Sequence, residues 1–442
     1  MKIVWASAYR NSECFLPSAG LSLLQTVHDI EGTLLRAHRL DSVWADPVAF
    51  LSSRSNRFAP QTTPSIKLKL RFPEVFCIEI YRGRYLVIGG LSGFVVYDLQ
   101  TRHEIYEYDA SDDDGCRLFW LFSSSGPNDD DQDFYVPFRR VRSRNWEVSK
   151  LSIIRITPSG GVSIIDITGI QSPSLLHIDI GLDFCIFRPE ADGGLVLLHI
   201  PTLRIYSLSL SQAESNLADA IFMPGYVLLI STLRMNSSPH KFFELFTLPD
   251  PHAATPATLV PTHCGFLQKS FTESKFTSSD INADLAPPNM TGSIWLVGLF
   301  NTRGASLLRI TLQPNGTLSF HIPDHDLNPR QRNRIPYDLL LTVASKPTGV
   351  GTLARGVSRV VVGRKSLMAL YNVHRRAAQA SKRGEKDDDG QAFEDLTIDI
   401  NYVKPIPQFY SSDVYAFDGF RGLLCTVPGG GSEVEVLNFV EI

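Results

Sequence analysis

The 442-residue chain has little of what most readily declares a function. It carries six cysteines, and no two stand at C-x-x-C spacing, which argues against a zinc ribbon or a redox dithiol. Cys77, Cys185 and Cys425 lie inside apolar runs, where free thiols act as small core residues, so a reducing compartment is expected. No stretch approaches the ~18 consecutive apolar residues of a membrane helix. The N-terminal MKIVWASAYRNSEC is too short and too polar in its apolar part for a signal peptide. Basic charge is not in excess: 42 Lys and Arg stand against 46 Asp and Glu, a net charge of -4. That excludes the footprint of a non-specific binder of DNA or anionic membrane, so neither is expected as a partner. No G-x-S-x-G, H-E-x-x-H or Walker loop occurs. Gly90-Leu91-Ser92-Gly93 approaches the first, but Phe94 stands where its second glycine belongs. Finally, convincing helical periodicity is missing after Leu40.

What is present is a repeated β pattern. The stretch Val75–Gln100, VFCIEIYRGRYLVIGGLSGFVVYDLQ, holds three apolar runs separated by Arg82-Gly83 and by Gly89-Gly90 with Ser92-Gly93. Strand, tight turn, strand, tight turn, strand is a β-meander. Its second and third runs are apolar at consecutive positions, which requires burial on both faces. A propeller blade, lying between two other sheets, supplies that environment. Similar runs continue to Val434–Val440. At about 40–45 residues per blade, residues 65–442 give about seven blades. The fold class expected is all-β: a single closed, WD-repeat-like β-propeller with a short helical N-terminal segment. Ile66, Leu68 and Leu70 alternate with Lys67, Lys69 and Arg71, as an outer strand with one wet face would. Residues Ser65–Leu70 are expected beside Val434–Val440, completing the last blade and leaving no bare edge.

Before the propeller, residues 1–50 read as the helical segment and residues 51–64 as a polar linker. Leu21, Leu24, Val27, Leu34 and Leu35 form an apolar stripe within residues 18–40, and Gly32 is expected to split or end the helix. Residues 248–290 are polar and proline-rich and read as a long excursion.

The string Leu40-Asp41-Ser42-Val43-Trp44-Ala45-Asp46-Pro47, with Arg82-Gly83-Arg84-Tyr85-Leu86 and Val95-Val96-Tyr97-Asp98-Leu99, resembles the F-box proteins of mushroom-type fungi. In that family a helical F-box module precedes a β-propeller. The resemblance implies a substrate-recognition subunit of a cullin-type ubiquitin ligase, with a Skp-type adaptor as partner. The family's Leu-Pro-x-Glu signature is not met, because Leu16-Pro17 is followed by Ser18-Ala19. Only some twenty residues then remain before Leu40, so a complete F-box does not fit. The module is absent, truncated or degenerate.

Candidate site residues are few. Trp44 is expected to anchor the connection to the ring. Tyr97-Asp98 takes the place of the WD dipeptide and reads as structural. Trp120, Trp146 and Trp295, with Tyr81 and Phe300, could line a recognition face, since aromatics dominate interface hot spots. They fill β-sheet cores equally well, and for each one alone core is the better reading. Asp112-Asp113-Asp114 lacks the spacing of a calcium loop. Asp324-His325-Asp326 sits in a polar turn after a strand. No catalytic residue, metal or cofactor is expected. The insertion His374–Gln391 runs from basic to acidic; its basic part reads either as a nuclear localisation signal or as a solvated loop. Localisation is accordingly cytoplasmic or nuclear. Two function classes stand: a non-catalytic protein-interaction propeller, and a propeller enzyme of glycosidase or lactonase type. A scaffold that has lost its F-box is a third alternative.

Overall fold

The computed structural model describes residues 4, 26–45, 66–69, 75–81, 83–110, 116–120, 133–142, 148–167, 178–181, 183–188, 194–211, 216–223, 225–235, 238–252, 258–266, 273–274, 294–301, 304–312, 318–321, 348–354, 357–364, 367–375, 396–403, 415–418, 423–427 and 433–438.

Helix α1 spans Val27–Ala45. It starts where Thr26 and Asp29 cap each other. The Thr26 hydroxyl accepts from the Asp29 N–H at 3.2 Å, and the Asp29 carboxylate accepts from the Thr26 N–H at 2.8 Å. That reciprocal pair satisfies donors left open by the first turn. Gly32 does not break the helix, contrary to expectation. A glycine costs a helix interior only about 1 kcal/mol, and Ile30 and Ala37 on either side of it are buried. The helix also continues through Leu40-Asp41-Ser42-Val43-Trp44-Ala45, which was expected to lie beyond it.

The rest of the described chain is β. The first sheet is β2 (Val75–Tyr81), β3 (Tyr85–Gly90), β4 (Gly93–Asp98) and β5 (His103–Asp109). The second is β6 (Cys116–Trp120), β7 (Phe134–Arg142), β8 (Val148–Ile156) and β9 (Val162–Ile167). The third is β10 (Ile178–Gly181), β11 (Phe184–Phe187), β12 (Leu195–His199) and β13 (Arg204–Leu208), with β17 (Thr258–Leu259) added at its edge. The fourth is β14 (Asn216–Met223), β15 (Tyr226–Met235), β16 (Ser238–Thr247) and β18 (His263–Phe266). The fifth is β19 (Glu273–Ser274), β20 (Ile294–Asn301), β21 (Gly304–Leu312) and β22 (Leu318–His321). The sixth is β23 (Thr348–Ala354), β24 (Val357–Arg364), β25 (Leu367–Arg375) and β26 (Leu396–Val403). The last is β27 (Tyr415–Asp418), β28 (Leu423–Thr426), β29 (Glu433–Asn438) and, at its outer edge, β1 (Ile66–Lys69).

Each sheet is antiparallel, apart from the β17 addition, and its strands lie in chain order, apart from β1 in the last sheet. Strands β3 and β4 are buried along their whole length, as consecutive apolar residues require. One apolar cluster joins the last sheet to the first, through Leu68, Val434 and Val436 against Ile80 and Tyr97. Others join the first to the second, the second to the third, and the third to the fourth. β1 runs antiparallel to β29, with Ile66 opposite Val436 and Lys69 opposite Glu433. Leu68 is buried while Lys67 and Lys69 face solvent, the alternation read in the sequence. Within the stretch expected to be an excursion, Thr258–Leu259 and His263–Phe266 are strands. β17 lies parallel to β13, with Ser207 opposite Thr258 and Leu208 opposite Leu259. The strap then returns to its own sheet through Thr262, whose N–H donates to the Leu245 carbonyl at 2.7 Å.

Candidate functional site

The turn after the third strand of the first sheet is built on Asp98. Its Oδ2 accepts from Nε and Nη2 of Arg84 at 3.0 and 2.7 Å, and its Oδ1 accepts from the Gln100 N–H at 2.9 Å. The Arg84 guanidinium accordingly holds the Asp98 carboxyl below the usual carboxylate range. Backbone bonds close the turn: Leu99 N–H to the Arg84 carbonyl and Arg102 N–H to the Asp98 carbonyl, both at 2.7 Å. Tyr97 faces the other way. Its hydroxyl is hydrogen-bonded to Glu104 at 3.0 Å and to the Lys69 carbonyl at 3.3 Å, so it ties the first sheet to β1.

The same device recurs, which the sequence conceals. In the third sheet His199 takes the place of Asp98, and Ile200 N–H donates to the Asp183 carbonyl at 2.8 Å. His199 Nδ1 meets the Thr202 hydroxyl at 2.8 Å, and burial holds its pKa below the ordinary histidine value. In the fourth sheet Leu248 N–H donates to the Gly225 carbonyl at 2.9 Å. Positions 84 and 183 supply the equivalent carbonyls, and positions 98 and 199 precede the equivalent N–H donors, with no residue type in common. Asp98 and His199, at matching positions, are each bound into their own turn.

These turns collect at one end of the sheets. Among the described residues, those with positive φ are Gly83, Arg102, Gly160, Asp183, Leu203 and Gly225, and all lie there. Cross-sheet contacts fix the common end. A Cβ on Gly160 would lie 2.6 Å from the Tyr85 hydroxyl of the neighbouring sheet. Arg204 Nη1 donates to the Pro251 carbonyl at 3.0 Å. Tyr135 is hydrogen-bonded across a seam to Asp183; burial first, and the Asp183 and Asp133 carboxylates next, push its hydroxyl's pKa well above the usual value. Arg155 balances that corner, with Nε donating to Asp133 Oδ2 at 2.6 Å. Arg102 and Leu203 have φ of 60° and 56°, a region that favours glycine. Leu203 is also 45% exposed, beside Ile205 on β13.

The tryptophans are placed differently from one another. Trp120 is buried in the seam between the first two sheets, where its Nε1 donates to the Gly90 carbonyl at 2.7 Å. It meets Phe94 edge-on at a centroid distance of 5.7 Å. It therefore does not line a recognition face, and packing is its role. Trp295 stands in β20 opposite Ile310 of β21. Trp44 belongs to the last turn of α1. Trp146, Asp112-Asp113-Asp114 and Asp324-His325-Asp326 lie outside the described residues, as does most of His374–Gln391.

A second charged cluster lies on the second sheet. Asp166 on β9 binds Lys150, accepts from the Ser152 hydroxyl at 2.8 Å and lies 3.6 Å from Arg140. Arg140 in turn stacks over Tyr108 of the first sheet at 5.1 Å. Among the described residues no group of three or more His, Cys, Asp or Glu is placed to hold a metal ion. Among the same residues no helix is long and apolar enough to cross a membrane.

Antiparallel sheets of four strands, one of them with a fifth, follow one another in chain order, and the last packs on the first while the first four pack in sequence, which is the organisation of a β-propeller fold. No family model matches the chain, and no curated protein matches it. Solved structures do. The β-propeller domain of Cps50 (Swd1) from Myceliophteria thermophila is 10% identical, with a TM-score of 0.43, over 84% of this chain and 99% of that one. Drosophila Plexin A, solved in complex with Semaphorin 1b, is 10% identical at a TM-score of 0.41, over 86% and 88%. The β-propeller domain of the Trilobed protease from Pyrococcus furiosus, described as having an open velcro topology, is 6% identical at 0.41, over 84% and 97%. These likenesses concern the course of the chain.

Proposed function

We propose that the protein is a non-catalytic interaction propeller. Its sheets form seven blades of one closed ring, β1 supplies the fourth strand of the last blade, and the turn-bearing end receives a protein partner. The observation that carries this reading is the set of left-handed residues at that end, Leu203 above all. A left-handed conformation costs a non-glycine residue about 1–2 kcal/mol. A turn needing only its shape is better served by glycine or asparagine. Here the position holds a branched apolar side chain out in water, which favours a role in contact. Strain of this kind clusters at functional sites.

The resemblance to mushroom-type F-box proteins gives the partner a class. It supports a client of a cullin-type ubiquitin ligase, held by the turns, with α1 and the residues before it as the remnant of the adaptor-binding module. A Skp-type adaptor is the second partner wherever enough of that module remains, and the setting is the cytoplasm or nucleus.

The test is a pull-down with the full chain against a recombinant Skp-type adaptor and cullin, with co-purifying clients identified by mass spectrometry. The wild type should retain the adaptor and a client. Deleting residues 1–50 should lose the adaptor alone. Leu203→Asp should lose the client alone, while Ile105→Asp, on the outer strand β5, should lose neither. Client binding indifferent to Leu203 would refute the placement of the surface, and no adaptor binding by the intact chain would refute the ligase role.

A further inference from the structure

The seam between the third and fourth sheets holds a carboxylate that the protein satisfies on one side only. Glu244 on β16 is wholly buried. Its Oε1 accepts from the Ser211 backbone N–H at 2.6 Å, which aims the side chain at the segment leaving β13. Its Oε2 has no protein hydrogen-bond partner, and neither has Oγ of Ser231, which is 1% exposed. The two groups are neighbours by register. Leu229 stands opposite Glu244, and Ser231 stands opposite Phe242. Side-chain alternation puts all four on one face of the sheet, with Ser231 diagonal to Glu244. Leu229 packs in one cluster with Leu208 and Leu259 of the third sheet, so that face looks into the seam. Diagonal neighbours stand roughly 7 Å apart, and a serine hydroxyl lies one bond beyond Cβ. Neither oxygen is hydrogen-bonded to the other, since both lack a protein partner, so a small molecule between them could bond to both.

We propose that Glu244 Oε2 and Ser231 Oγ hold one internal water molecule, a hydration site that links the third and fourth sheets. A carboxylate oxygen only accepts, whereas a hydroxyl can donate or accept. A water that donates one hydrogen to Oε2 and makes a second bond with Oγ satisfies both. Internal waters typically answer buried polar groups that the chain leaves open. A metal ion is a poorer match. One carboxylate oxygen and one hydroxyl fall well short of the six to eight oxygens that calcium takes, or of the octahedral set of magnesium. Ser211 is exposed, so the site lies one residue from bulk solvent, and exchange runs past that residue.

The experiment is a crystal structure of the full chain at a resolution that orders water, with the Ser231→Ala variant and a thallium(I)-soaked native crystal alongside. The native protein should show one peak about 2.6–3.2 Å from both oxygens, without anomalous signal from thallium. In Ser231→Ala the peak should be lost or displaced, and the thermal midpoint of the variant should fall. Absence of a native peak, or a direct hydrogen bond between Ser231 and Glu244, would overturn the proposal. An anomalous thallium peak at the same place would make the ligand a monovalent cation and overturn it too. So would a higher midpoint for Ser231→Ala, because removing a hydroxyl that nothing satisfies relieves a buried polar cost.

Discussion

Replacing Gly89 with alanine tests whether Trp120 is a packing residue. A Cβ at Gly89 would overlap Cε2 and Cζ2 of the Trp120 ring, so the ring must move. The ring has little freedom to do so. Its Nε1 is bonded to the Gly90 carbonyl, Phe94 meets it edge-on, and Phe138 lies at a centroid distance of 5.6 Å. Overpacking of this kind costs about 1–3 kcal/mol. If the displaced indole N–H loses its acceptor while still buried, a further cost of about 1–3 kcal/mol follows. The variant should therefore lose about 2–6 kcal/mol. At about 2 °C per kcal/mol for a large chain, its thermal midpoint should fall by about 4–12 °C in a calorimetric scan. Trp120→Phe should also destabilise, but the smaller ring leaves room at Gly89. The double variant should fall short of the sum of the two single effects by at least about 1 kcal/mol. Near-neutral Gly89→Ala, or effects that add within about 0.5 kcal/mol, would refute the packing role and return Trp120 to the surface.

Three further outcomes follow from the turns. Asp98→Ala should cost about 2 kcal/mol, between an exposed ion pair and a buried one, measured by urea unfolding, with Asp98→Asn losing less. Because Arg84 lowers the folded pKa of Asp98, the stability from this group is present above the ordinary carboxylate range and is lost as pH falls through the folded value; Asp98→Asn should flatten that limb below about pH 4. His199 is held below its ordinary value by burial, so its contribution is full above about pH 6.5 and is lost as pH falls further; melting scans from pH 7.5 downward should show a decline that His199→Gln reduces. Leu203→Gly should relieve the left-handed backbone and raise stability by about 0.5–1 kcal/mol, while client capture in the pull-down is lost.

Much of the first sheet was legible because its signals are local. Val75–Gln100 carries its own turns, and two consecutive apolar runs leave no wet face. Ile66–Lys69 was legible as an outer strand for the same reason, because alternating lysines and aliphatics describe a half-buried edge. Other features depend on partners distant in sequence. Thr258 and Leu259 form a strand only because β13 offers an open edge beside them, and no local pattern in a proline-rich segment announces that. Trp120 is a core residue because Gly89, thirty-one positions earlier, leaves space for its ring. His199 does the work of Asp98 with different chemistry, so the repeat is visible in backbone bonds and not in residue identity. Gly32 misled in the opposite sense, since its local cost is small beside the burial of Ile30 and Ala37.

The central claim is a ring joined by β1 in the last sheet, and a pair of cysteines tests it most directly. Lys67 and Glu435 are opposed across β1 and β29. Lys67→Cys with Glu435→Cys, in the full chain under mild oxidation, should form an intramolecular disulfide, identified by mass spectrometry of the linked tryptic peptides. The link should form in native buffer and not in denaturing urea, and the linked chain should melt higher than the same variant after reduction. Free thiols at both positions in a folded, monomeric protein would mean that β1 is not seated beside β29, and the proposed closure of the ring would be wrong.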